Sequence, residues 1–386
     1  MPHVMTQTRR LRRQPFVSVI SSLLCILIVF TLTGCTRSVR EDATKVAQAG
    51  DTVSKQMAEY YSSLQQDTVD TYELNAFREA YLLQQKYDEE VKKDKKQGRI
   101  PLLPPSFEMS LEDKEIAEEY QKAYRALAAR VRLARAMQDA YGSYAHLSEY
   151  DSTKEVLNNV GGLIKAVNAT ASLSLPDPTG TVSMVVQGLF KDIVTELTII
   201  QQNRKLLRES NRLIPILQKV KQVFDAEMIL CGGDTTVKNS EDKDMRVSGI
   251  AGRRAAAYKS VARQLVESDA VITTALVNGV LSQYQLRWPE PQMPFTQSAL
   301  KAGIVKMIEA RAYPLTQLSE DAGEGVSRGL DKLIVLHQQL AVRKPLSLQE
   351  VESNSATLQV LLDQLKTKGV PTDFITELLK TLQKGA

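Results

Sequence analysis

The 14 prolines of this 386-residue chain fall unevenly, and their placement limits what it can fold into more than any other feature. Beyond Pro2 and Pro15 they gather at 101–105, 176–178 and 289–294, with isolated ones at Pro215, Pro314, Pro345 and Pro371. Proline removes a backbone donor and clashes with the preceding turn of a helix. The clusters therefore read as turns, and the proline-free stretches between them as long helices. Apolar spacing agrees: Val46, Ala49, Val53, Met57, Tyr60 and Leu64 step by threes and fours, the period of one helix face. Asp70 and Glu73 have the spacing of a capping box that starts a second segment. If the two segments fuse, they make a helix of roughly 80 Å.

The pattern continues down the chain. Ser110 and Asp113 precede the strongest stripe, Ile116, Tyr120, Ala123, Leu127, Val131, Ala134, Tyr141, Ala145 and Ser148. Ser152 and Glu155 restart the chain into an arm that ends at Pro176, answered by a second arm from Thr179 to Leu230 with a bend near Pro215. A polar loop is expected at 231–252, then a helix from Arg253 to Gln285. Helices at Gln297–Tyr313 and Val326–Val342 flank a Gly/Asp/Glu-rich break, and Ser347 with Glu350 caps a C-terminal hairpin. No run of alternating β-branched residues is bounded by hairpin turns. The expected fold is all-α: an elongated bundle of long antiparallel helices with a near-uncharged central helical hairpin. Its divisions are a long-helix bundle at 43–230, the loop at 231–252, a second helical region at 253–342 and a helical hairpin at 343–386.

From Val156 to Phe190 only Lys165 and Asp177 are charged, in a chain where 24% of residues are. Three readings of the hairpin at 156–200 follow. A helix without a charged face is normally buried all round, which favours a central hairpin sheathed by the other arms. An exposed apolar patch instead marks a docking surface. Insertion into a bilayer is the third reading, and in layout alone an apolar hairpin between long helices resembles helical pore-forming toxins of the cytolysin type. Asn158, Asn159, Asn168, Thr170, Ser172 and Ser174 make its first arm more polar than a spanning helix.

The N-terminus carries the clearest motif. Four arginines, Arg9, Arg10, Arg12 and Arg13, precede an apolar run from Phe16 to Leu32 and then Leu32-Thr33-Gly34-Cys35. This resembles the lipobox of a bacterial lipoprotein signal peptide. The resemblance implies that residues 1–34 are removed, that Cys35 is lipidated, and that 35–42 form the anchor and a short tether. The competing reading is an uncleaved membrane anchor, since the run has the length of a short spanning helix. Thr8-Arg9-Arg10 is similar to a twin-arginine signal, but Arg12 and Arg13 stand where that family has Phe and Leu. Thr36 follows the cysteine, where lipoproteins retained in the inner membrane tend to carry aspartate. The resemblance therefore implies the periplasmic face of the outer membrane.

Charge and cysteine content narrow the classes. The 49 basic residues exceed the 45 acidic ones only by the four leader arginines. The remainder is balanced and lacks the basic footprint of a nucleic-acid binder. Cys25 belongs to the leader and Cys35 to the anchor, which leaves Cys231 alone, either an inert buried thiol or an intermolecular or redox one. Downstream of the leader only His146 and His337 remain, in no zinc-binding or catalytic spacing. No nucleophile elbow, P-loop or dinucleotide fingerprint appears, so neither a cofactor nor a catalytic residue is assigned.

Two stretches could still bind something. Ser248-Gly249-Ile250-Ala251-Gly252-Arg253-Arg254 puts glycines and two arginines at a helix start. Such a start attracts anions, while the arginines oppose its dipole unless a ligand, solvent or a nearby carboxylate answers them. The segment from Trp288 to Phe295 holds the only tryptophan in a proline-stiffened turn, either a contact residue or a plug for the bundle. The expected function is a non-enzymatic, membrane-anchored scaffold or accessory subunit meeting other envelope proteins. The alternatives are a bilayer-active protein and a cell-wall or small-ligand binder.

Overall fold

The computed structural model describes residues 16–99, 111–149, 153–202, 210–238, 244–267 and 294–367, with most of their side chains from Glu41 onward. The fold is all-α. Helix α1 (Phe16–Lys96) is followed by α2 (Leu111–Glu149), α3 (Thr153–Ala171), α4 (Thr181–Gln202) and α5 (Leu213–Cys231). A ribbon of β1 (Asp234–Lys238) and β2 (Asp244–Ser248) leads into α6 (Ile250–Glu267), α7 (Pro294–Ala341) and α8 (Leu348–Thr367).

The two segments expected before residue 97 are one helix of 81 residues. Asp70 and Glu73 do not start a second helix. Asp70 turns inward and accepts from Gln66 Nε2 at 2.8 Å. α1 is the centre of the packing, with α2 on one side and α6, α7 and α8 on others. Between Val46 and Thr71 only Gln48, Lys55 and Gln66 are exposed. Tyr60, Tyr61 and Phe224 of α5 stack at 5.7–5.8 Å between ring centroids. A single apolar core runs from Val46 to Leu365, joining the regions expected at 43–230, 253–342 and 343–386.

The α3–α4 hairpin is not sheathed. Val160, Leu163, Val167, Phe190, Ile193 and Leu197 enter the core, while the outer face stays in solvent, with Met184 70% and Val185 51% exposed. Asp177 caps the turn, accepting from the amides of Thr179 and Ser183 at 2.9 Å each. Burial works against its charge, but these bonds hold its carboxyl below the usual range. Among the described residues with side chains, no helix is long and apolar enough to cross a membrane.

Other expectations change as well. The arm to Leu230 is interrupted by a 3-10 turn at Ser210–Arg212 rather than at Pro215, which sits in the first turn of α5, where the missing amide had no helical acceptor. The break expected before Val326 is absent, and α7 runs through Pro314 for 48 residues. Small residues there allow close packing: a Cβ on Gly323 would collide with Met228 and Tyr60. The polar loop at 231–252 contains an antiparallel ribbon in which Asp234 pairs with Ser248 and Lys238 with Asp244. α8 begins after Ser347 as expected, but the Ser347 hydroxyl donates to Gln339 Oε1 at 3.1 Å. Residues 368–386 of the expected C-terminal hairpin lie outside the described residues.

Candidate functional site

Most charged groups at depth are spent on one another. Arg130 of α2 and Glu227 of α5 are 1% and 2% exposed and form an ion pair at 2.5 Å. Tyr61 donates to Glu227 at 3.2 Å. Arg130 Nη1 donates to the carbonyls of Thr170 and Leu173 at the end of α3, and its guanidinium lies 5.5 Å from the Phe190 ring centroid. The cluster ties α1, α2, α5 and the hairpin together with its donors used, which is what a buried ion pair requires. Cys231 is buried beside it, and burial followed by the Glu227 charge pushes its thiol well above the ordinary range. That thiol is not poised to react.

A second cluster joins α1 to α6. Arg254 Nη1 lies 2.6 Å from Asp67 Oδ1, and Arg254 Nη2 lies 3.0 Å from Asp70 Oδ2. Burial raises the Asp67 pKa to about 6 even though Arg254 pulls it down. In a third place, Tyr141 and His337 meet at 3.0 Å, and burial lowers the His337 pKa to about 4. Among the described residues no group of His, Cys, Asp and Glu is arranged to hold a metal ion. A cavity of about 70 Å³ lies between α2 and the hairpin, walled by apolar side chains that include Leu133, Val160 and Leu197.

The anion site expected at Ser248–Arg254 does not form as such. Arg254 is committed to Asp67 and Asp70. Arg253 donates to Glu119 of α2 at 2.7 Å and to the Ser248 carbonyl at 2.9 Å. Carboxylates answer both arginines, one of the alternatives open from sequence. The glycines serve contact between backbones: the Gly249 amide donates to Gly233 O at 3.0 Å, and a Cβ on Gly249 would collide with the Gly232 carbonyl.

Arg253 nevertheless borders an open cleft of about 900 Å³. Glu115, Glu119, Lys122 and Arg125 of α2 form one wall, the 172–178 turn lies along the cleft, and Arg246, Val247 and Ser248 of β2 face it with Arg253. Lys122 and Arg125 do not stand out in the sequence, because they sit in an ordinary charged helix and the turn and ribbon reach them only through the fold. Trp288 lies outside the described residues. Phe295 is in the first turn of α7, with its side chain undescribed, and so are the side chains of Leu32, Thr33, Gly34, Cys35 and His146 in their helices.

The site is thus a mixed-charge cleft on an all-α bundle, without a recognised catalytic constellation among the described residues. Comparison with protein-family models, curated proteins and solved structures finds no match to this chain.

Proposed function

We propose that the chain is a bacterial lipoprotein, anchored through a lipidated Cys35 at the periplasmic face of the outer membrane, which acts without catalysis as a scaffold or accessory subunit of an envelope assembly. The lipobox-like Leu32-Thr33-Gly34-Cys35 carries this reading. Its position supports it: Val46, a fully buried residue of the central helix, follows Cys35 after only a short stretch. At 1.5 Å per residue, a helical tether of that length holds the core roughly 17 Å from the acylated cysteine. One acyl chain binds a bilayer marginally and several hold firmly, so the body would stay at the membrane.

Labelled palmitate fed to the native host tests the anchor. Label retained by the wild type and lost in Cys35→Ala, together with partners recovered by crosslinking from membranes, is the expected outcome. A mature N-terminus other than Cys35, or an unlabelled wild type, overturns it. Exposed Met184 and Val185 favour a second reading, in which the hairpin acts on a bilayer. That reading requires vesicle leakage that Val185→Asp abolishes.

A further inference from the structure

We propose that the cleft between α2, the 172–178 turn and β2 takes an extended acidic peptide segment of a partner protein, docked along the free edge of β2. The idea deepens the scaffold reading and rests on it. β2 pairs only with β1 among the described residues, so no described strand lies along its second edge, where the Ser248 carbonyl already accepts from Arg253 Nε and the backbone groups of Arg246 are left for an added strand. Three consecutive β2 residues, Arg246, Val247 and Ser248, line the cleft. An open edge of this kind is completed by an added strand, with backbone bonds supplying affinity and alternate side chains supplying specificity.

The walls define the side chains. Lys122 and Arg125 line the cleft without an ion-pair partner among the described residues. Glu118 stands one helical turn before Lys122 yet does not engage it, so neither cation is neutralised along its own helix. The other two cations are already answered, Arg253 by Glu119 and Arg246 by Asp234 at 2.5 Å. Leu173, Pro176 and Pro178 supply apolar surface along the turn, with Leu175 buried in the core beneath them. An extended chain sends successive side chains to opposite sides, so a segment alternating acidic and apolar residues meets the cations with one set and Leu173 and the prolines with the other. Two carboxylates of the lining have no described cation: Asp177, whose oxygens are taken by the amides of Thr179 and Ser183, and Glu115, which opposes the ligand at its end of the groove.

The cleft also lies where a partner can reach it. Tyr120, on the same turns of α2 as Glu119 and Lys122, packs against Tyr72 of α1 at 5.4 Å. Tyr72 is 26 residues beyond Val46 on one continuous helix, about 39 Å at 1.5 Å per residue. The anchor enters at one end of α1 and the cleft sits toward the other.

Fluorescence anisotropy of the full-length protein in neutral detergent, with a fluorescein-labelled peptide of alternating Glu and Leu, tests the site. Binding is expected to weaken as salt rises from about 50 to 200 mM. It should weaken about tenfold or more in Lys122→Glu/Arg125→Glu and tighten in Glu115→Lys, a gain that misfolding cannot mimic. The same peptide N-methylated at alternate residues should lose most of its affinity if it adds to β2. Equal binding of a Lys/Leu peptide, or no change on N-methylation, overturns the proposal. So does displacement of the peptide by micelles doped with phosphatidylglycerol, which would make this a headgroup site. The assay is indifferent to lipid on Cys35, so its failure leaves the anchor untouched.

Discussion

The middle of α1 and the α3–α4 hairpin exchange the places that their compositions suggest. Residues 46–71 contain Asp67, Asp70, Glu59 and Lys55 and are enclosed on nearly every side, whereas the almost uncharged hairpin keeps a whole face in water. Depth is decided by partners rather than by the number of charges. Asp67 and Asp70 are tolerated at the centre because α6 delivers Arg254 to both. Gln56 is tolerated because its side chain donates to the Ser355 carbonyl of α8 at 2.8 Å. The outer face of the hairpin is built mainly from Asn, Gly, Ser, Thr and Gln with a few apolar residues, and only Lys165, Lys191 and Asp192 add exposed charge to it.

The largest test of this comparison removes a partner at the junction of the two regions. Arg130→Met leaves Glu227 charged at 2% exposure and should cost about 3–5 kcal/mol, read by urea denaturation. Arg130→Met/Glu227→Leu removes both charges and should regain a large part of that loss. If the double variant is no more stable than the single one, the pair is held by something other than mutual compensation.

Adjacent residues of α4 give the next largest contrast. Val186 is 3% exposed and Val185 51%. Val186→Asp places a carboxylate in the core without a partner and should cost about 3 kcal/mol or more, while Val185→Asp should stay within roughly 0.5 kcal/mol of wild type. Equal, large losses in thermal melts would restore the sheathed hairpin that composition suggests.

Buried titrating groups sharpen the comparison through pH. Asp67 has its pKa raised from 3.8 to about 6, mainly by burial. Its stabilising contribution is therefore complete below the unfolded value and lost as pH rises through 6. His337 has its pKa lowered from 6.5 to about 4 by burial. Its contribution is complete above 6.5 and lost as pH falls through 4. Each amounts to something on the order of 3 kcal/mol, with opposite sign across the same window. Asp67→Asn should therefore make stability fall more steeply on acidification from pH 7 to 4 than it does in wild type, and His337→Gln should make it fall less. Parallel unfolding curves for all three proteins would sink both assignments.

Helix content is legible in the sequence because proline position and apolar period are local properties. α2 and the start of α8 lie where Ser110, Asp113, Ser347 and Glu350 put them, to within about a residue. Contacts made between distant segments are not legible. Asp70 looks like a cap until Arg254 arrives from α6, and the stretch around Gly323 looks like a break until α1 and α5 pack on it. The glycines of 248–254 look like an anion site at a helix start, yet Gly249 lets two backbones touch. Of the candidate site, Arg253 is visible as an arginine at a helix start. Its carboxylate partner, Lys122, Arg125 and the free edge of β2 depend on how the ribbon settles against α2.

The smallest effect is expected where neither depth nor pairing operates, which makes it a control on the comparison. Arg343, just beyond α7, has φ of 56° and is exposed. Its left-handed backbone lets the Lys344 amide donate to Gln339 O at 2.9 Å and closes the helix end. A residue with a Cβ is strained by about 1 kcal/mol in that conformation, and glycine is not. Glycine also loses more freedom on folding, so Arg343→Gly should gain roughly 0.5 kcal/mol or less in urea melts, with no dependence on salt or on pH between about 5 and 8. A salt-dependent change would mean that the guanidinium interacts with the α7 carbonyl ends, and electrostatics would then operate even at an exposed turn.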